Sequence, residues 1–75
     1  MLHIKNAVYI SNYSIFVEFS DGKKSTVDLS DELWGPVFLP LQELEFFKQF
    51  EVHKTFKTLS WPNGADFAPE FLYSL

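Results

Sequence analysis

Cysteine is absent from this 75-residue chain. That excludes disulfide frameworks, thiolate zinc sites and cysteine nucleophiles together, and an unstapled small fold fits a reducing cytoplasm. Long apolar runs are missing too. No segment approaches the ~20 apolar residues of a membrane helix. The start, MLHIKNAVYI, has no apolar stretch behind a basic head, so it does not read as a signal peptide. Cations are few: six lysines stand against ten Asp and Glu, for a net charge of −4. Nucleic-acid affinity comes mostly from cations that neutralise phosphates. No direct nucleic-acid partner is therefore expected, while a basic protein partner is allowed. Glycine is scarce as well, and three isolated glycines in turn contexts leave no Gly-rich phosphate loop.

What is abundant is aromatic. The chain is 47% apolar and carries nine Phe, three Tyr and two Trp. Each buried large side chain contributes roughly 1.5–3 kcal/mol, against an ordering cost on the order of 1.5 kcal/mol per residue. The composition is that of one globular domain over residues 1–75. So short a domain has little interior, and aromatic surface left outside it would mark a partner surface.

LHIKNAVYI places Leu2, Ile4, Val8 and Ile10 on even positions, interrupted by Asn6. YSIFVEF places Tyr13, Ile15, Val17 and Phe19 on odd ones, and STVDL continues with Val27 and Leu29. The period of two predicts half-buried strands. A two-residue Ser11-Asn12 loop would set Val8 opposite Ile15. A three-residue Ser20-Asp21-Gly22 loop, with Gly in the left-handed bulge position, sets Ile15 opposite Val27 and keeps the core faces in agreement.

Ser30 is expected to cap a helical turn across Asp31, Glu32 and Leu33, ended by Gly35-Pro36. Leu41, Leu44 and Phe47 at helical spacing predict a helix from about Leu41 to Gln49. EVH and TLSW predict a second, short hairpin around Lys54 to Lys57. Trp61-Pro62-Asn63-Gly64 suits a turn, with Asp66 as a turn acceptor. Pro69 suits the first position of a terminal helix, Glu70 complements its dipole, and Phe71, Leu72 and Leu75 would pack inward. The fold class is α+β: a three-stranded antiparallel meander, a helix, a short hairpin and a C-terminal helix, in the order β-β-β-α-β-β-α.

The chemistry-bearing residues are thinly spread. His3 and His53 lie far apart and read as surface strand histidines rather than metal ligands. Asp28, Asp31 and Glu32 could hold magnesium, but solvated carboxylates at a helix start explain them more simply. No G-x-S-x-G motif or positioned base accompanies the serines, and Asp66 and Glu70 read as turn and helix-start charges rather than an acid/base pair. No catalytic, metal or cofactor site is assigned, and no cofactor is expected. The pairs Lys23-Lys24 and Lys54/Lys57 sit at hairpin tips, where solvated lysines blunt strand edges. Trp34 and Trp61 read either as core residues with a bonded indole N–H or as anchors of a protein interface.

At FSDGKKSTVDLSDELWGPVFLPL and WPNGADFAPEFLY the chain resembles the bacterial domain-of-unknown-function 2442 family. A start like MLHI, then FSDG, VDLS, LWGPVF, EFF and WPNGAD…APE follow in order over nearly the whole chain. It departs between His53 and Thr58, where a Gly-containing turn is expected and KTFK stands. The resemblance implies a small bacterial cytoplasmic α+β domain with no established catalytic residues. Members are often encoded beside a second small protein, an arrangement suggestive of toxin–antitoxin pairs. Some longer relatives carry a helix-turn-helix after this domain, and no such segment is expected here.

The expected function is a non-enzymatic protein-interaction module, the acidic antitoxin-like half of a two-gene pair. Its partner would be a small basic protein, with a homodimer as a further arrangement and no membrane. The expected partner-binding residues are Trp61, Asn63, Asp66, Glu70 and Trp34. The alternatives are a small-molecule-sensing regulatory domain and, remotely, a small hydrolase.

Overall fold

Alternation in the central strand builds the main sheet. In the computed structural model, which describes all 75 residues, β1 (Ile4–Ser11), β2 (Ser14–Phe19) and β3 (Lys24–Asp28) form an antiparallel meander in that order. Ile15, Val17 and Phe19 of β2 are buried, and their intervening neighbours are not. Ile15 pairs with Val27 and Val17 with Ser25. The Phe19 N–H donates to the Lys23 carbonyl at 2.8 Å, closing the loop Ser20-Asp21-Gly22, and Gly22 takes φ +96°. The expected bulged turn therefore forms, with glycine where the backbone is left-handed.

The expected face of β1 holds only at Ile4. Ile4 pairs with Phe19, but the register shifts between Ile4 and Asn6, and again between Tyr9 and Ser11. An extra residue on one strand reverses which side chains face the core. Ala7 and Tyr9 therefore pack against the core, opposite Val17 and Ile15, while Val8 and Ile10 are 48% and 52% exposed. Regular alternation from Ile4 would have sent the Asn6 amide inward, and the bulge substitutes Ala7. The loop is correspondingly Asn12-Tyr13, between paired Ser11 and Ser14, with Asn12 at φ +46°.

The expected helix from Leu41 to Gln49 is broken. Leu39–Gln42 forms a 3-10 turn, Glu43 is extended (φ −78°, ψ 116°), and α1 spans only Leu44–Phe47. The Glu43 carboxylate accepts the Glu45 N–H at 3.1 Å and so caps α1. In one continuous helix, residues six apart point about 120° away from each other. The break lets Leu41 and Phe47 both be wholly buried. Ser30 likewise does not cap. It opens a 3-10 turn, Ser30–Glu32, and its N–H donates to Asp28 Oδ1 at 3.0 Å.

A two-stranded sheet follows, β4 (Glu51–Val52) with β5 (Leu59–Ser60), as the sequence leads one to expect. Its loop closes with Lys57 at φ +57°, the conformation a glycine would fill more easily. The Ile4 N–H donates to the Lys57 carbonyl at 2.8 Å, tying this hairpin to β1. The last element, α2 (Pro69–Ser74), begins at Pro69 and buries Leu72, whereas Leu75 is exposed. Tyr73 packs inward in its place, edge-on to Phe19 with ring centroids 4.9 Å apart. No helix is long and apolar enough to cross a membrane.

Candidate partner-binding site

The WPNGAD segment is built as the sequence suggests, and Trp61, Pro62, Gly64 and Asp66 line one polar cleft. The Gly64 N–H donates to the Trp61 carbonyl at 3.0 Å, and the Trp61 N–H donates to the Ala65 carbonyl at 2.9 Å. Gly64 takes φ +89°. Asn63, not Asp66, is the turn's side-chain acceptor: its Oδ1 receives the Ala65 N–H at 3.1 Å. Its Nδ2 donates to the Val37 carbonyl at 3.0 Å, so the same amide fastens the turn to the segment after Gly35-Pro36.

Trp61 is a core residue. It is 4% exposed, and its indole N–H donates to the Phe47 carbonyl at 2.8 Å. Its ring packs on Phe47, Phe50 and Phe67 at centroid distances of 5.7, 6.2 and 5.7 Å. Asn63 is exposed, and its amide clamps the turn. Trp34 is the opposite case at 72% exposed. With Glu32, Phe38, Phe67 and Phe71 it lines an apolar groove of about 240 Å³. Phe67 stacks between Phe38 and Phe71, at 4.7 and 5.6 Å between centroids.

Asp66 is exposed and lies away from that groove, on the wall of a polar cleft of about 500 Å³ that Trp61 also lines, with Glu51, His53 and Ser60. The composition of that cleft invites a comparison with a Ser-His-Asp site, which its hydrogen bonding does not support. In such a site the histidine Nδ1–H donates to the carboxylate. Here His53 Nδ1 accepts the N–H groups of Thr55 and Phe56, both at 3.1 Å. The neutral tautomer assigned from those bonds carries its proton on Nε2, a donor rather than a base. No hydrogen bond joins His53 to Ser60 or Asp66. No cluster of three metal-ligating side chains occurs.

The five expected residues thus divide. Trp61 and Asn63 fasten the turn, Trp61 and Asp66 both line the polar cleft, and Trp34 stands over the apolar groove. Glu70 is exposed in the first turn of α2, next in sequence to the groove residue Phe71. Phe38, Phe67 and Phe71 complete the groove and are not among the residues expected to bind a partner. Phe38 stood inside the conspicuous LWGPVF run, but nothing local indicates that its ring would meet Phe67.

Two of the perturbed ionisable groups, Asp21 and Tyr73, sit where α2 meets the β2–β3 turn, and the third, Asp28, sits at the other end of β3. Asp21 is held below the usual carboxylate range by the Lys23 N–H and by the Tyr73 hydroxyl, which donates to it at 2.8 Å. The same bond raises Tyr73 above the usual phenol value. The Lys23 ammonium donates to the Tyr73 carbonyl at 3.1 Å and lies 4.0 Å from the ring centroid. Asp28 is lowered by the N–H of Ser30. The Asp21, Lys23 and Tyr73 contacts latch the terminal helix, and the Asp28 contact fixes the start of the 3-10 turn.

Comparison with known proteins gives one result. The family model described as "Protein of unknown function (DUF2442)" matches residues 4–75, and the chain belongs to that family. No curated protein and no solved structure matches.

Proposed function

For this member of the family, we propose a non-enzymatic role: docking a segment of a small basic protein in the groove beside Trp34. The observation that carries the reading is an indole 72% exposed at the edge of an apolar groove. Large apolar side chains left in water around a concave surface favour a partner that covers them, and Trp is prominent among residues that dominate interface energy.

Charge supports a cationic occupant. Glu32 lines the groove, Asp31 precedes it in the same 3-10 turn, Glu70 stands beside Phe71, and no lysine lines the groove. A second copy would bring these carboxylates against their like, whereas Lys or Arg flanking an apolar anchor would complement them. The acidic antitoxin-like half of a bacterial, cytoplasmic two-gene pair fits this surface and the net charge of −4.

The test is co-purification at modest salt with the neighbouring gene's product, with stoichiometry read by mass spectrometry. A one-to-one complex lost on Trp34→Ala, with unchanged melting of the free chain, supports the reading. An undiminished complex with Trp34→Ala, or a homodimer that excludes the partner, overturns it.

A further inference from the structure

Three of the six lysines and both histidines line one depression. It lies where the start of β1 (His3, Lys5), the β2–β3 turn (Ser20) and the β4–β5 loop (His53, Lys54, Lys57) converge. No carboxylate lines it, although the chain has ten. Its volume, about 390 Å³, falls in the range that small ligands occupy. Residues that look like unrelated hairpin-tip lysines and scattered histidines are gathered by the tertiary structure.

The frame is held by backbone bonds. The His3 N–H donates to Ser20 Oγ at 3.0 Å, and the Ser20 N–H returns to the His3 carbonyl at 2.8 Å. The Lys57 carbonyl accepts the Ile4 N–H, and the Lys57 N–H donates to the His53 carbonyl at 2.9 Å. The cations are largely uncommitted. The molecule's ion pairs are Lys5–Glu18, at 3.9 Å with Lys5 exposed and Glu18 half-buried, and Lys48–Glu45. The first is weak, and Lys54 and Lys57 have no carboxylate partner.

Lys57 supplies an independent observation. It holds φ +57° with a Cβ, in a turn that glycine would fill without strain. Backbone strain of this kind concentrates where a side chain has work to do. Here the strained residue lines the depression, and its ammonium has no carboxylate partner. His53 adds a donor, since its Nδ1 is occupied by two backbone N–H groups and the neutral ring keeps its proton on Nε2.

We propose that this depression binds a small molecule bearing a compact group of two or more negative charges, a phosphate ester or a polycarboxylate. A local cluster of cations suits such a ligand. A nucleic-acid strand would extend over the surrounding acidic surface of a chain with net charge −4. The depression shares no residue with the Trp34 groove, so the two can fail separately.

The test is an amide-shift titration of the ¹⁵N-labelled chain with pyrophosphate, with citrate, and with sodium chloride at matched ionic strength. Saturable shifts at His3, Lys5, Lys54 and Lys57 that chloride does not reproduce are expected. Pyrophosphate alone would identify the phosphate source, and citrate alone the carboxylate source. Lys57→Gly is the decisive variant, because glycine suits its backbone. It should melt at or above the parent temperature yet bind at least about fivefold more weakly, the effect of one pair of unit charges near 4 Å in water. Lys54→Ala should weaken binding similarly, and Lys48→Ala should not. Shifts reproduced by chloride, shifts spread equally over Lys23, Lys24 and Lys48, or unchanged binding in Lys57→Gly would overturn the proposal.

Discussion

The same substitution at the two tryptophans should give opposite results. Trp61→Ala removes a ring that is 4% exposed, with three phenylalanines packed on it and its N–H bonded to the Phe47 carbonyl. Truncating a buried aromatic to alanine costs about 3–5 kcal/mol. A domain of this size holds roughly 4–11 kcal/mol in all, at about 0.05–0.15 kcal/mol per residue. Trp61→Ala should therefore remove about a quarter or more of the stability and can unfold the protein outright. Trp34→Ala removes a ring that is 72% exposed, and its effect should stay within about 0.5 kcal/mol.

Urea unfolding followed by far-ultraviolet circular dichroism reads both. With a slope near 1 kcal/mol/M, the Trp61 variant loses about 3–5 M in midpoint, and the Trp34 variant moves by less than about 0.5 M. Fluorescence provides a second readout. Trp34→Ala leaves one sequestered indole, whose emission should be blue-shifted relative to the parent. A Trp34→Ala variant destabilised by more than about 1 kcal/mol, or a Trp61→Ala variant destabilised by less, would refute the assignment of core and surface.

Asn63→Asp keeps the acceptor for the Ala65 N–H but loses the donor to the Val37 carbonyl. It should cost about 1 kcal/mol, and Asn63→Ala should cost more by thermal melting. Glu43→Ala removes the cap of α1 and should lower stability by about 1 kcal/mol in the same assay. The latch at α2, together with the Asp28–Ser30 bond, predicts losses at both ends of the pH range. Asp21 and Asp28 are lowered in the folded state, so their stabilisation is present above the unfolded carboxylate value and is lost as pH falls through the folded one. Tyr73 is raised, so its contribution holds below the unfolded phenol value and is lost as pH rises through the folded one. Tyr73→Phe should flatten the alkaline limb of the melting profile and part of the acid limb. An unchanged profile in both limbs would show the Tyr73–Asp21 bond to be energetically silent.

Much of the fold was legible because its cues are local. Alternation in β2 and Gly22 after Asp21 are enough to specify the second hairpin, since a one-residue slip would expose Ile15, Val17 and Phe19. The turn Trp61–Gly64 and the start of α2 at Pro69 follow from backbone preferences that act within a few residues. The β1 bulge and the break at Glu43 were not legible. Each settles a conflict between local regularity and burial: Ala7 rather than Asn6 inward, and Leu41 and Phe47 both in the core.

The candidate site divides along the same line. Trp34-Gly35-Pro36 and Trp61-Pro62-Asn63-Gly64 look alike as sequence, each a tryptophan entering a turn. Phe47 and Phe67 enclose one, and nothing encloses the other. The chain's own composition determined an acidic, aromatic, unstapled α+β domain, because charge sums and short-range periodicity need no partner residue. The tertiary structure alone decided which indole faces water, that Phe38, Phe67 and Phe71 form a groove, and that two distant histidines join three lysines around one depression. Those outcomes depend on contacts between residues tens of positions apart, and such contacts are set by the packing of the whole core.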